Sequence, residues 1–358
     1  SEIADTAIDV FVYDTRKDSD GGAWRKRTQN TSWYNETLGT ATRGTRKEFP
    51  AVAVIVSASG PNRITIYDGD DPDLPMWMEF TSAGGQYGYL FDGRSAESVV
   101  ALNGQMVIAD SLDSSGICNF ISDRIHSVAV TGGYDSTRNV ADRNPSDGVN
   151  KWYVNNSSIG LVGNPNDVAI TVLPDAPIDD ATGLPVPTIA VATQAGTSII
   201  RDDGTVVDLS GFSPVTTVHI DGSNVIATSN SGSPSHDFIY KTHIPSGDEV
   251  YNAGITAGSK NYYMNSNTGT IPLLRDINMS DSTYNSKDNV VYRGGTGGFD
   301  IIMPGVNYSS THSNPAIAYI KSEYNTGYMP GDIKGAFLSD TNTTDLDGTN
   351  LITNGTFD

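Results

Sequence analysis

Punctuation constrains this chain more than any other feature. Apolar runs of five to eight residues recur along its length, and each stops at glycine, proline or an Asn-Gly or Asp-Gly pair. Ala51–Ser57 (AVAVIVS), Arg63–Asp68 (RITIYD), Met106–Asp110 (MVIAD) and Thr188–Thr193 (TIAVAT) are examples. They favour Val, Ile, Thr, Tyr and Phe, side chains that suit a pleated, half-buried surface. No long amphipathic helical period competes with them. The 37 glycines and 17 prolines fall between the runs, so the sequence predicts an all-β protein of short strands.

Repetition narrows this to a β-propeller. Val100–Asp110 reads VALNGQMVIAD and Val218–Thr228 reads VHIDGSNVIAT: a strand, an Asn-Gly or Asp-Gly turn, then a strand ending in VIA and a polar residue. Such pairs supply the positive φ angles of a tight hairpin. Thr188–Leu209, preceded by Val168–Leu173, reads as four antiparallel strands, the content of one blade. At about 45 residues per blade, residues 1–340 predict about six or seven four-stranded blades, five being the lower limit. Polar inserts are expected near 131–158 and 257–288, and a linker or the start of an appended module over 341–358. Val10–Thr28 (VFVYDTRKDSDGGAWRKRT) reads as an N-terminal hairpin. Its expected role is to close the ring by sharing a blade with C-terminal strands at Ala316–Ile320 and Ile333–Ser339, because a bare sheet edge invites aggregation.

Charge excludes some partners. With 22 basic against 42 acidic side chains and a formal charge of -20, the surface repels nucleic acid and anionic membranes. The deficit lies after Pro50, and a neutral start on an acidic body suits docking on an acidic neighbour. Cys118 is the single cysteine and reads as a small buried hydrophobe. No run reaches the length of a membrane span and no charged-then-apolar leader is present, so membrane insertion is not expected.

Catalysis is not expected, and no catalytic or cofactor-binding residue is assigned. His126, His219, His236, His243 and His312 are scattered, and no nucleophile elbow, phosphate-cradling loop or His-Glu-x-x-His occurs. Calcium is the one metal the sequence suggests. Asp68, Asp70, Asp71 and Asp73 crowd one turn, and Asp340–Asn350 offers a second acidic stretch; hard oxygen ligands at close spacing suit that ion. Trp152–Tyr153 and Tyr262–Tyr263 are aromatic pairs of the kind that stack on sugars or fill interfaces, as are Tyr324 and Tyr328.

The stretch Asp18–Trp24 (DSDGGAW) resembles the Asp box, the Ser-x-Asp-x-Gly-x-Thr-Trp hairpin of sialidases and other propellers. Asp18, Asp20, Gly22 and Trp24 follow its order; the Thr and one residue before the Trp are missing. The resemblance implies a structural role on the outer edge of a blade. Leu351–Asp358 (LITNGTFD) resembles the opening of carbohydrate-binding jelly-roll modules, which implies a longer chain or a remnant of such a module.

FVYDTRKDSDGGAWRKRT, SWYNETL, EFPAVAVI, IYDGDDPDLPMWM and GDIKGAFLSD resemble virion structural proteins of marine tailed phages, most closely over residues 10–80 and 314–358. The resemblance implies a tail-associated place in the virion, extracellular when mature. Expected partners are other virion proteins and a host surface glycan, with the protein a homo-oligomer in the particle. The function expected is structural or adhesive. The alternatives are a sialidase-like or other glycan-cleaving propeller and a bacterial cell-surface lectin.

Overall fold

The computed structural model describes residues 6–81, 90, 94–144, 152–211, 213–222, 224–229 and 238–250, and the backbone of five strands between residues 279 and 340. The chain divides into two compact units, Ser1–Ser229 with Lys241–Thr256, and Asn230–Tyr240 with Ala257–Asp358. Among the described residues no helix is long and apolar enough to cross a membrane.

The first sheet is an antiparallel meander of β1 (Ala7–Asp14), β2 (Val52–Ala58), β3 (Arg63–Asp68) and β4 (Met76–Thr81). The second runs in chain order through β5 (Ala96–Leu102), β6 (Gln105–Asp110), β7 (Ser114–Asn119), β8 (Arg124–Ala129), β9 (Gly132–Ser136) and β10 (Trp152–Asn156). Leu102 faces Gln105 across the Asn103–Gly104 turn, whose φ angles of 51° and 70° are those of a two-residue hairpin. Residues 131–158, expected as an insert, supply β9 and β10 to this sheet. Gly132 turns the chain so sharply that Ala129 pairs with it directly.

The third sheet holds β11 (Pro165–Thr171), β14 (Thr188–Thr193), β15 (Gly196–Ile200) and β16 (Val206–Ser210) as one antiparallel meander, the blade expected from its repeat. A small hairpin, β12 (Ile178–Asp179) with β13 (Leu184–Pro185), is inserted after β11. The next sheet is ordered β17 (Thr217–Asp221), β18 (Asn224–Ser229) and β19 (Phe238–His243), and β20 (Glu249–Val250) pairs in parallel with β16. In the second unit β21 (Met279–Asn285), β22 (Val290–Gly295), β23 (Gly298–Met303), β24 (Ala316–Lys321) and β25 (Ala336–Asp340) form a further antiparallel meander.

The sheets of the first unit succeed one another through their first strands: β1 packs on β5, β5 on β11, and β11 on β17. Each of the first three has a register shift near its start, at Ala7/Asp9, Ala96/Ser98 and Pro165/Asp167. Such a bulge breaks the ladder and leaves an amide to be satisfied otherwise. Carboxylates do this. Asp9 accepts the amide of Val10 at 2.7 Å and, on the next sheet, that of Val99 at 2.7 Å. Asp167 accepts the amides of Val168 at 2.9 Å and, on the next sheet, Val218 at 2.8 Å. The Ser98 side chain also bonds to Asp167, linking the two clasps. In β21 the same shift recurs at Met279/Asp281.

Two expectations about the N-terminus are corrected. The chain does not return from β1 as a second strand: Thr15–Lys17 and Ala23–Arg27 are 3-10 turns. Asp18 causes this by gathering the chain inward, accepting the Tyr13 hydroxyl at 2.6 Å, the Trp24 indole N–H at 2.6 Å and the Asn103 amide at 2.8 Å. Gly22 completes the turn at φ 79° where a Cβ would meet Thr15. Nor do the described C-terminal strands join the sheet of β1. Phe11 pairs with Ile55, and Phe337 pairs with Tyr319 in another sheet. Residues 15–51 fold against the first two sheets and deliver β2, not a C-terminal strand, to the side of β1.

That folded-back segment fills the space between the first two sheets. Its Trp24, Trp33 and Phe49 join Trp77, Phe80 and Phe120 in one buried cluster, with Phe49 4.8 Å from Trp77 and Trp33 5.4 Å from it in edge-on contacts. Buried indoles need acceptors: Trp33 donates to the Phe120 carbonyl at 2.8 Å and Trp77 to that of Glu48 at 2.9 Å. Two buried guanidiniums flank the cluster. Arg43 and Arg143 share the Glu36 carboxylate at 2.7 and 2.8 Å, and Arg43 lies 4.4 Å over the Trp77 ring. A second core, including Val107, Ile117, Val168, Ile189 and Val191, joins the second sheet to the third.

Candidate cleft between the second and third sheets

A cleft of about 490 Å³ opens beside this second core. Its floor is apolar: Ile117 from β7, Ile189 from β14, Ile200 from β15, and Val186 with Pro187 at the end of the inserted hairpin. The second sheet lines one wall. Alternation along β8 brings Arg124 and His126 to one face, and antiparallel register sets Asp135 of β9 opposite His126. Arg124 pairs with Asp135 at 3.1 Å. Asn119, whose carboxamide oxygen accepts the amides of Ile121 and Ser122, shapes the adjoining turn.

The third sheet lines the other wall. Asp179 of β12 stands at the rim with one oxygen accepting the Ala181 amide at 3.0 Å. The β15–β16 turn adds Arg201, Asp202 and Asp203. Asp203 is committed to Thr205, whose amide it accepts at 2.9 Å. Arg201 donates to the Ser246 carbonyl at 3.4 Å and lies 3.9 Å from Asp203. Asp202 faces the cleft with no cation against it among the described residues.

Electrostatics sharpen the picture. Burial lowers the His126 pKa to about 4; Asp135 opposes the shift and Arg124 adds to it. The imidazole is therefore neutral at neutral pH, able to accept or donate a hydrogen bond without carrying charge. The rim has four carboxylates, Asp135, Asp179, Asp202 and Asp203, against two guanidiniums, and both guanidiniums already face oxygen partners.

The residues singled out by sequence lie elsewhere. Asp68, Asp70, Asp71 and Asp73 do not gather round a vacant centre. The Arg46 guanidinium contacts Asp68 and Asp70, each at 2.8 Å. Asp70 also accepts the amides of Ala51 and Val52, and Asp71 accepts that of Asp73. Burial works against the Asp70 charge, but those amides and Arg46 outweigh it and hold its pKa below the usual value. Among the described residues no three His, Cys, Asp or Glu side chains come together to hold a metal ion; Arg46 supplies the positive charge expected of calcium. Asp18 and Trp24 sit inside the N-terminal turn, and Asp20 accepts the Gly22 amide at 3.0 Å and pairs with Arg27 at 2.8 Å. Trp152 and Tyr153 lie on β10 opposite Ser136 and Asp135. Tyr262, Tyr263, Tyr324, Tyr328 and the stretch after Asp340 lie outside the described residues.

The cleft residues escaped sequence reasoning because they come from separate strands and turns. The Asp202–Asp203–Gly204 turn was legible as a turn, but nothing in its spacing pointed to His126 more than 70 residues away.

No family model matches this sequence, and no curated protein does. Among solved structures, Hsv2 of Kluyveromyces lactis is similar at 9% identity and a TM-score of 0.32, over 75% of this chain and 86% of that one. The BBS1N chain in a BBS1N complex with ARL6DN is similar at 13% identity and a TM-score of 0.37, over 76% and 72%. Likenesses this distant define no family. The chain's own strand order and first-strand packing place it in the β-propeller class.

Proposed function

We propose that this chain is a structural or adhesive β-propeller of a phage virion, tail-associated, that presents loops and clefts to neighbouring proteins or to the host surface. The motif resemblance supplies the particle. The observation that supports a scaffold is where the half-buried and buried carboxylates are spent. Asp9, Asp18 and Asp167 each bond across to another sheet or its turn. Asp123 likewise ties the N-terminal segment to the second sheet, accepting the Ser32 amide at 2.6 Å and the Val140 amide at 3.1 Å. Groups used in this way rigidify a frame, and a rigid frame lets exposed loops and clefts carry contacts.

The test is localisation. An antibody raised against the recombinant chain is applied to particles encoded by the same genome and viewed by electron microscopy. Label on the tail is expected. Label confined to bacterial surfaces would overturn the virion reading in favour of a cell-surface lectin, and hydrolysis of a fluorogenic glycoside by the purified chain, read as freed fluorophore, would overturn the non-enzymatic one.

A further inference from the structure

We propose that the cleft between the second and third sheets seats a lysine or arginine side chain of a protein partner. This names the partner chemistry of one site and rests on the scaffold reading above. Three features converge on it. The floor of Ile117, Val186, Pro187, Ile189 and Ile200 is apolar and suits an aliphatic stem. Carboxylates stand at the rim, where a stem lying on that floor would end. Among the described residues Asp202 has no cation against it, and only one Asp179 oxygen is bonded, to the Ala181 amide. The rim's own guanidiniums are occupied, Arg124 by Asp135 and Arg201 by the Ser246 carbonyl, so the surplus charge offered to a visitor is negative.

His126 fits the same occupant. A protonated imidazole would repel a cation; this one is neutral and presents a lone pair or an N–H instead. An anionic ligand would meet the opposite situation, four carboxylates against two guanidiniums that already face oxygen partners.

The experiment uses the whole chain with isoleucine methyl groups labelled for NMR. The probes are the N-acetylated, C-amidated tripeptides Gly-Arg-Gly and Gly-Lys-Gly, with Gly-Gln-Gly and free galactose as controls. The basic peptides should shift the Ile117, Ile189 and Ile200 methyls, the controls should not, and added salt should weaken the effect. Asp202→Asn removes no hydrogen bond or ion pair among the described residues, so its melting temperature should match the parent, while affinity for the basic peptides falls by about fivefold, the size of one exposed ion pair. Unmoved methyls, shifts equal in Asp202→Asn, or shifts produced by galactose alone would overturn the proposal. Shifted methyls with no label on particles would defeat the virion reading and leave the cleft standing; labelled tails with unmoved methyls would do the reverse.

Discussion

Asp167 accepts the backbone amide of Val218 at 2.8 Å, fixing the first strand of one sheet to the first strand of the next. Asp9 does the same to Val99 at 2.7 Å, from the same bulged position at the start of the first strand of its own sheet. A bulge frees an amide and a carboxylate answers it, so a local irregularity becomes the joint between sheets.

The joint carries a signature in pH. Burial raises the Asp167 pKa to about 6, outweighing the bonds from Ser98, Val218 and Val168, with Asp9 adding to the rise. In the unfolded chain the group titrates near 3.8, so the native state binds the extra proton. Asp167 therefore favours the fold as pH falls from above 6 towards 4, and that contribution is lost as pH rises again. His126 works the other way. Its native pKa of about 4 lies below the usual 6.5, so its contribution is present above pH 6.5 and lost as pH falls towards 4. Urea unfolding at several pH values should show Asp167→Asn losing stability more steeply than the parent between pH 6 and 4. His126→Gln should lose it less steeply over pH 6.5 to 4.

Asp18 is the pin of the N-terminal segment. Asp18→Ala leaves the Tyr13 hydroxyl, the Trp24 indole and the Asn103 amide without their acceptor. At about 1–3 kcal/mol for each buried group left unsatisfied, chemical denaturation should show a loss of at least about 3 kcal/mol. Asp18→Asn keeps an acceptor oxygen and should lose less.

Trp33 is fully buried, edge-on to Trp77 and bonded to the Phe120 carbonyl. Trp33→Ala should cost about 3–5 kcal/mol, read as a lower midpoint in urea. Trp33→Phe keeps most of the ring contact, forfeits the indole bond and should fall between the two.

Cys118 has no exposed surface, and burial raises its pKa further. The native chain should therefore resist a thiol-specific reagent at neutral pH, and the unfolded chain should take up one equivalent.

Much of the strand content was legible because its signals are local. Val168–Leu173 and Thr188–Leu209 announced their meander through alternation and turn pairs, and the Asn103–Gly104 hairpin formed where its turn chemistry required. What misled was also local. DSDGGAW looks like a hairpin turn, but Asp18 finds acceptor work at Tyr13, Trp24 and Asn103, and the last of these lies 85 residues away. Gly132 lies in the stretch expected as a polar insert, yet its φ of 139° lets β9 fold straight back onto β8. The acidic turn at Asp68–Asp73 looked like a calcium site because no spacing reveals that Arg46 will lie over it. The cleft was illegible for the same reason: His126, Asp179 and Asp202 meet through sheet packing.

Amide hydrogen exchange at Val99 and Val218 tests most directly whether these carboxylates join the sheets. Both amides should exchange slowly in the parent chain; Asp167→Ala should release Val218 while Val99 stays protected, and Asp9→Ala should do the converse. Rapid exchange of both in the parent, or no selective release in either variant, would contradict the account.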